Sequence, residues 1–336
     1  MKKNFEAKNS LFDVILVAVC SFVGVGFISG AEIWFYFARF GASGVFGLIL
    51  FGMLVFVLGL FAFRGVSHSN PKIKKLKTKI LLFSELAVAS AMVSGLFETS
   101  RTLFSKWWVF VFALAILALI LLFFSEKKSF VIYNYFVAIF VIFVVISLFL
   151  FNNNFVAKNS EVLIEDFSAK NIFLSLLFGL IYVFMNISEI RPILERNSKN
   201  FNKKEKILLS LFLSLMLIFL VFMLSFVLLK NKHLASFSMP FLMNFKEKGG
   251  WVLMVFLIGL VMTMISTANA CMIGAKDKLI FHKNDDNFAK IIVILSSLIF
   301  GQIPFVFFIK IIYPILAVLN FWLFVFELFE RREKVI

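Results

Sequence analysis

Long apolar runs divide this sequence, and they limit its fold more than any other feature. A run of about 20 apolar residues crosses the hydrocarbon core of a bilayer as a helix. The chain of 336 residues is 62% hydrophobic and only 16% charged, which is too little polar surface for a soluble protein of this size. The pattern therefore predicts an all-α integral membrane protein with ten spans, at residues 11–40, 43–65, 79–101, 106–124, 130–151, 171–194, 206–229, 250–274, 289–309 and 311–329.

The polar segments between the runs are short, and none is long enough to bury a hydrophobic core of its own. We therefore predict one membrane domain over residues 1–336, with no separate soluble domain. The last two runs are separated only by a tight connection predicted near Lys310, so the number of spans is nine or ten.

Basic residues are distributed unevenly between the two sides of the predicted membrane. With the N-terminus inside, 24 of the 34 Lys and Arg residues fall in inner segments and nine in outer segments, while Arg39 ends the first span. Cytoplasmic loops are enriched in Lys and Arg. This predicts a multi-pass protein of the bacterial cytoplasmic (inner) membrane, with both termini cytoplasmic. The same rule explains the net charge of +15, so the predicted partner is the lipid bilayer and not nucleic acid.

The first span contains residues that weaken a helix. Three glycines and two serines lie between Ser21 and Gly30, and each glycine costs about 1 kcal/mol in a helix. A broken helix is tolerated in a bilayer only where it is buried in protein or lines a watery cavity. We therefore predict a break in the first span. The alternative is close helix packing through Gly26 and Gly30, which have the spacing of a small-residue seam.

The sixth span carries a similar set of signals. Asn186 and Ser188 compete for backbone hydrogen bonds, and Pro192 lacks an N–H and disfavours helix at Arg191. This predicts a second break. Because the first and sixth spans occupy corresponding positions in two five-span halves (residues 11–151 and 171–329), the second half enters from the opposite side as an inverted repeat. Paired breaks of this kind indicate a binding site at the membrane midplane.

The segment Gly24-Val25-Gly26-Phe27-Ile28-Ser29-Gly30-Ala31-Glu32, followed by an aromatic-rich stretch and Phe40-Gly41, resembles the first-span signature of YkvI-type membrane proteins. That family belongs to the amino acid–polyamine–organocation (APC) superfamily, which has the LeuT fold. The order of the spans and the segment from Tyr182 to Pro192 agree with the resemblance over nearly the whole chain. It implies a LeuT-like 5+5 inverted repeat with broken helices 1 and 6. It also implies secondary transport by alternating access, with an amino acid or related amine as the small-molecule substrate.

The two predicted breaks supply the candidate substrate site. Free N–H groups near Gly24 to Phe27 suit a substrate carboxylate, because helix N-termini carry partial positive charge. Polar side chains of the sixth span could bind the second polar group of the substrate. Aromatic side chains could line the walls of the binding pocket. Taken singly, each of these residues is more often a packing residue. The predicted substrate-binding residues are Val23, Gly24, Gly26, Phe27, Tyr182, Phe184, Asn186 and Ser188.

Hydroxyl groups of the eighth span supply a candidate ion site. Thr263, Ser266 and Thr267 lie on one helix face, and oxygen atoms are the ligands that small hard cations prefer. In LeuT-fold sodium symporters a hydroxyl pair of the eighth span meets carbonyls of the broken first span. The resemblance therefore implies a sodium site formed by Ser266 and Thr267 with carbonyls near Cys20 and Val23. The alternative is that the hydroxyls bond to carbonyls four residues earlier in their own helix.

Acidic residues inside the spans make proton coupling the rival of sodium coupling. A charge at the bilayer centre costs at least about 2.5–3.5 kcal/mol, so it needs a partner, water or a proton. Glu32 and Glu85 are the candidates for proton coupling, and Glu189, beside the sixth-span signals, is a candidate gate or coupling group. No cofactor and no metal other than sodium is predicted.

The sequence favours a transporter over other classes of membrane protein. It contains neither HExxH nor GxSxG, so an intramembrane enzyme is the weakest alternative. A channel or a non-transporting scaffold is the main alternative. A transporter predicts saturable uptake that depends on an ion gradient, a channel predicts conductance without saturation, and a scaffold predicts neither.

Overall fold

The computed structural model describes residues 11–63, 71–104, 106–125, 139–148, 167–279 and 286–333. Within these ranges the regular structure is helical and contains no strand. Six of the described helices are long and apolar enough to cross a membrane, and further helices are shorter but also apolar. The chain is therefore a multi-pass α-helical membrane protein, as the apolar runs predicted. The count of ten spans stays a prediction.

The N-terminal half begins with a series of short helices and continues with long ones. The elements are α1 (Leu11–Phe22), α2 (Val25–Ile28), α3 (Ala31–Tyr36), a 3-10 segment (Ala38–Ser43), α4 (Gly44–Ala62), α5 (Pro71–Leu103), α6 (Trp108–Ser125) and α7 (Ile139–Leu148). Helix α5 starts eight residues before the predicted span, because its lysine-rich first turns continue the helix beyond the apolar run.

The C-terminal half has longer uninterrupted helices. Its elements are α8 (Ala169–Arg196), α9 (Lys203–Lys230), a 3-10 segment (Lys232–Ser236), α10 (Pro240–Lys248), α11 (Gly250–Leu279), α12 (Asp286–Phe300), a single α-helical turn (Phe305–Phe307), a π-helical turn (Phe308–Ile312) and α13 (Tyr313–Glu333). Helix α9 begins with a capping box, in which the side chains of Asn202 and Glu205 each accept the other residue's backbone N–H.

Helices α4 and α8 pack with their backbones in contact. A methyl group at Gly47 would overlap the Ser175 carbonyl, and one at Gly179 would overlap the Gly47 carbonyl. The Ser175 hydroxyl also donates a 2.8 Å hydrogen bond to the Ser43 carbonyl. Small residues allow such close approach between membrane helices. This contact places the start of α8 against the segment that follows the first span.

The helix predicted for the first span is broken, as the glycines predicted. Helix α1 ends at Phe22, α2 has only four residues, and α3 starts after Gly30, whose φ of 83° is a conformation that glycine adopts readily. One backbone group at the break is paired with a distant segment. The Ser29 carbonyl accepts a 2.8 Å hydrogen bond from the Phe241 N–H at the start of α10.

The predicted break in the sixth span is wrong, because α8 is one continuous helix from Ala169 to Arg196. The Asn186 side chain donates a 2.9 Å hydrogen bond to the Tyr182 carbonyl, so it bonds within the helix instead of competing with it. Pro192 lies one turn before the helix ends, where its missing N–H costs a single hydrogen bond.

The connection between the last two predicted spans is also displaced. Helix α12 ends at Phe300, and the turn lies at residues 301–304, where Gly301 and Pro304 end regular structure. Lys310, where the connection was predicted, lies instead within the π-helical turn that leads into α13. The turn is held by the Ser94 hydroxyl of α5, which donates a 2.6 Å hydrogen bond to the Ile303 carbonyl.

Candidate functional site

A buried carboxylate lies against the break in the first span. Glu32, on α3, is only 4% exposed, and its Oε2 accepts a 3.0 Å hydrogen bond from the Tyr182 hydroxyl of α8. Gly26, on α2, makes room for this carboxylate, since a methyl group there would overlap it. The break therefore positions an acid in the interior of the bundle, and three residues predicted from the sequence meet at it.

Aromatic rings enclose the Tyr182 end of this pair. The Tyr182 ring lies 4.9 Å from the ring of Tyr36, 5.1 Å from Phe37 and 5.5 Å from Phe22, measured between centroids. Tyr36 in turn donates a 2.9 Å hydrogen bond to the Ile309 carbonyl in the π-helical turn. This packing fixes the Tyr182 hydroxyl and links the site to the element that precedes α13.

A small cavity opens beside the break; we call it the central cavity. Its volume is about 20 Å³, which is room for one water molecule. Four of its lining residues were predicted as site residues: Gly24 in the connection between α1 and α2, and Glu32, Asn186 and Thr267 on three different helices. The other lining residues are Phe22, Val88, Met92, Met185, Tyr313 and Leu316. The candidate substrate, proton and ion sites thus meet at one place, although the space is far smaller than an amino acid.

The predicted sodium ligands are only partly brought together. Helix α2 packs against α11, and Thr267 of α11 lines the central cavity. The Thr263 hydroxyl, in contrast, donates a 2.8 Å hydrogen bond to the Gly259 carbonyl of its own helix, as the alternative interpretation expected. Ser266 is buried, and so is Val23. Cys20 lies in the last turn of α1, and its side chain is outside the described part of the structure.

The remaining predicted residues have other surroundings. Phe27 is buried edge-on against Phe22, with the ring centroids 5.9 Å apart. Both Glu85 oxygens accept 2.7 Å hydrogen bonds from Lys278, so this acid belongs to an ion pair. Phe184 lies away from the central cavity. The side chains of Ser188 and Glu189 lie outside the described part of the structure.

A larger cavity, which we call the inner cavity, lies among α4, α5, α8, α11 and α13. Its volume is about 240 Å³. Six polar or charged side chains and eight apolar side chains line it. The lining residues are Lys77, Arg191, Glu195, Lys278, Asn320 and Glu327, with Leu58, Phe61, Ala62, Leu81, Phe184, Ile187, Leu323 and Phe324.

The charged residues of the inner cavity were not predicted as a site. One local signal for them exists, because Asn320 and Glu327 are polar residues seven positions apart in the last apolar run, and polar groups within a span are usually functional or paired. Glu327 forms ion pairs with Arg191 at 2.6 Å and with Lys77 at 3.3 Å. These partners come from distant parts of the chain, so only the assembled fold reveals them.

Comparison with known proteins does not assign the chain to a family: no protein-family model and no curated protein matches it. Within the described residues, no group of three or more His, Cys, Asp or Glu side chains forms a potential metal site. The fold and the site together define a multi-pass helical membrane protein in which a buried carboxylate, Glu32, lies at the break between α2 and α3 and borders a small cavity.

Proposed function

We propose that this protein is a secondary active transporter of a small amino acid or related amine, working by alternating access with the proton at Glu32 as the coupling ion. One observation carries the proposal. The Glu32 carboxylate lies at the break between α2 and α3, against Gly26, and borders the central cavity. Irregular backbone at membrane depth is tolerated at such functional cavities.

The chemistry of Glu32 favours the proton over other ions. Its hydrogen-bond partner is the neutral hydroxyl of Tyr182, and among the described residues no cation forms an ion pair with it. Burying a charged carboxylate that has no cation beside it costs free energy, and binding a proton removes this cost because it neutralises the group. Protonation also turns an acceptor-only group into a donor, so it changes the hydrogen bonding that Glu32 offers to Tyr182 and to the central cavity.

Sodium is the second candidate coupling ion, and one observation favours it. Thr267 lines the same cavity as Gly24 of the broken segment, which is the pairing of elements that the LeuT-type sodium site requires. Thr263 contributes less to this candidate, because its hydroxyl bonds to its own helix.

The fold that we propose is the LeuT-like arrangement of ten spans in a 5+5 inverted repeat, and the family is the YkvI-type branch of the APC superfamily. The break at the glycine-rich signature supports this proposal, and so does the contact between Tyr182 of α8 and Glu32 of α3. The continuous α8 departs from the paired breaks expected of that fold. The distribution of Lys and Arg supports the bacterial inner membrane with both termini cytoplasmic.

Uptake into proteoliposomes tests the proposal. Purified protein is reconstituted, and uptake of a radiolabelled amino-acid mixture is measured under a pH gradient, under a sodium gradient and under neither. We expect saturable uptake driven by the pH gradient, lost in Glu32→Gln and kept in Glu98→Gln. Glu98 is a suitable control because its carboxylate accepts a hydrogen bond from Ser238, away from the central cavity.

Other outcomes select the other candidates. Uptake that requires sodium and survives in Glu32→Gln contradicts proton coupling and selects the sodium site. Flux that does not saturate, accompanied by conductance, selects a channel. Neither flux nor conductance for any amino acid or amine selects a scaffold.

A further inference from the structure

The inner cavity carries balanced charge. Three cations and three carboxylates occupy it or its immediate border, and ion pairs connect them: Lys77, Arg191 and Lys278 with Glu85, Glu195 and Glu327. Arg191 is the centre of this network. Its Nε contacts Glu195 at 2.6 Å, and its Nη1 contacts Glu327 at 2.6 Å. A ligand with a net charge would add an unbalanced charge to a partly buried site, which costs free energy. A zwitterion has no net charge and so keeps the charges of the site balanced.

One polar group at this cavity lacks a partner. Asn320 is 4% exposed, and among the described residues its Nδ2 has no hydrogen-bond partner. Buried amide groups are nearly always hydrogen-bonded, and an unpaired one is destabilising. Asn320 lines the inner cavity, so a rotation of its buried amide toward the cavity would let an acceptor atom of a ligand satisfy the group. A carboxylate oxygen is such an acceptor.

The volume and the lining residues of the inner cavity indicate the size and polarity of the rest of the ligand. An apolar cavity of about 150 Å³ holds benzene, whereas the inner cavity has about 240 Å³ and the central cavity about 20 Å³. Phe184 and Phe324, whose rings lie 5.9 Å apart, form an aromatic wall with Leu323. In this conformation the inner cavity accommodates a solute with an apolar body, and the central cavity does not.

We propose that the inner cavity is a binding site for a small zwitterion with an apolar body. The carboxylate of the ligand would accept hydrogen bonds from Arg191 and Asn320, its ammonium group would lie at Glu327, and its apolar part would lie against Phe184 and Phe324. This inference rests on the proposed transport function, since it describes a position of the solute on its path separate from the central cavity.

Photo-crosslinking tests the site on the full-length protein in lipid nanodiscs. The probe is photo-leucine, a zwitterion with a diazirine in its apolar side chain. Two matched probes carry the same side chain, one without the ammonium group and one without the carboxylate. We expect photo-leucine to label peptides that contain Leu58 and Phe61 of α4 and Leu323 and Phe324 of α13, and excess leucine to protect them. The two truncated probes should label these peptides at least tenfold less.

Two asparagine variants provide the matched comparison. Asn320→Leu removes the unpaired amide, and we expect roughly tenfold weaker protection by leucine, the size of a lost hydrogen bond to a charged group. Asn269→Leu removes another buried asparagine with an unpaired atom, on α11 and away from both cavities, and should leave labelling unchanged. Melting temperatures of both variants establish that they are folded.

Each other result overturns the inference. Labelling confined to Val88 and Met92 places the solute at the central cavity. Equal labelling by the carboxylate-only probe shows an anion site. Absence of specific labelling also overturns it, and the uptake assay then distinguishes the two proposals, because uptake that persists leaves the transport function intact.

Discussion

Tyr182 donates a 3.0 Å hydrogen bond to the Glu32 carboxylate across 150 residues of sequence, and both side chains are buried. This bond joins an intact helix of the second half of the chain to the broken segment of the first half. Any movement of α3 relative to α8 must therefore stretch or break it. The first prediction tests this relationship.

We expect Tyr182→Phe to change the pH dependence of uptake as well as the stability, because the hydroxyl contacts the acid that we propose to carry the proton. The loss of stability should be roughly 1 kcal/mol, the typical net value of a hydrogen bond. Uptake measured across a pH series, together with thermal unfolding, checks both effects. Tyr36→Phe is the control, since its hydroxyl bonds the Ile309 carbonyl and not Glu32. The same change in pH profile in both variants would refute a special role for Tyr182.

Two neighbouring glycines should respond differently to the same added methyl group. In Gly26→Ala the methyl would overlap the Glu32 carboxylate, whereas in Gly24→Ala its nearest neighbour is the end of the Met92 side chain at 3.9 Å. Overpacking typically costs about 1–3 kcal/mol, so Gly26→Ala should melt at a lower temperature and Gly24→Ala close to the wild type. Equal melting temperatures for the two variants would show that the Glu32 carboxylate does not lie against Gly26.

The two carboxylates that contact Arg191 should differ in their contribution to stability. Both lie 2.6 Å from the guanidinium, but the Glu327 side chain is 3% exposed and the Glu195 side chain 29%. Removing one partner of a buried pair costs about 3–5 kcal/mol, and removing one from an exposed pair at most about 1 kcal/mol. We therefore expect Glu327→Gln to be far more destabilising than Glu195→Gln in thermal unfolding. The opposite order would mean that Glu327 is not buried as described.

Asp286, Lys290 and Lys276 form a charged cluster at the start of α12, and this cluster should make the stability of the protein depend on pH. Hydrogen bonds from the side chains of Lys290 and Lys276 lower the pKa of Asp286 below its ordinary value. A carboxyl whose pKa is lower in the folded state stabilises the protein above its unfolded pKa of about 3.9, and this contribution disappears as the pH falls through the folded pKa. Asp286→Asn should therefore lower the melting temperature slightly at pH 7 and have no effect at strongly acidic pH.

The control for this cluster is Asp277→Asn. Asp277 lies 3.6 Å from Lys276 and its side chain is 64% exposed, compared with 3.1 Å and 40% for Asp286. At pH 7 Asp277→Asn should lower the melting temperature less than Asp286→Asn does, and at strongly acidic pH neither variant should differ from the wild type. A decrease for Asp286→Asn that is the same at both pH values would contradict the proposed origin of its effect.

The break in the first span was predictable from the sequence because its cause is local. Three glycines close together weaken a helix whatever surrounds them, and Gly30 has the left-handed conformation that glycine favours. The break predicted in α8 failed for an equally physical reason. The Asn186 amide donates to the Tyr182 carbonyl within the helix and so does not interrupt it.

The inner cavity could not be predicted, because its charged residues come from separate helices. The sequence places Lys77, Arg191 and Lys278 near the inner ends of predicted spans, yet it does not show which of many inner lysines and arginines meet. Two residues that line the central cavity had a signal in the sequence, since Glu32 and Asn186 are unusual residues for apolar runs. That they border one space with Thr267 depends on the arrangement of three helices.

Helix α10 has a consequence for how the broken segment folds. Its Phe241 N–H bonds the Ser29 carbonyl, and the Phe241 ring lies so close to Gly30 that a methyl group there would come within 2.8 Å of it. A backbone carbonyl freed by the irregular turn is thus satisfied by a segment more than 200 residues later in the chain. The irregular turn should consequently become ordered only once the C-terminal half has docked, so these two distant pieces form a single cooperative folding unit.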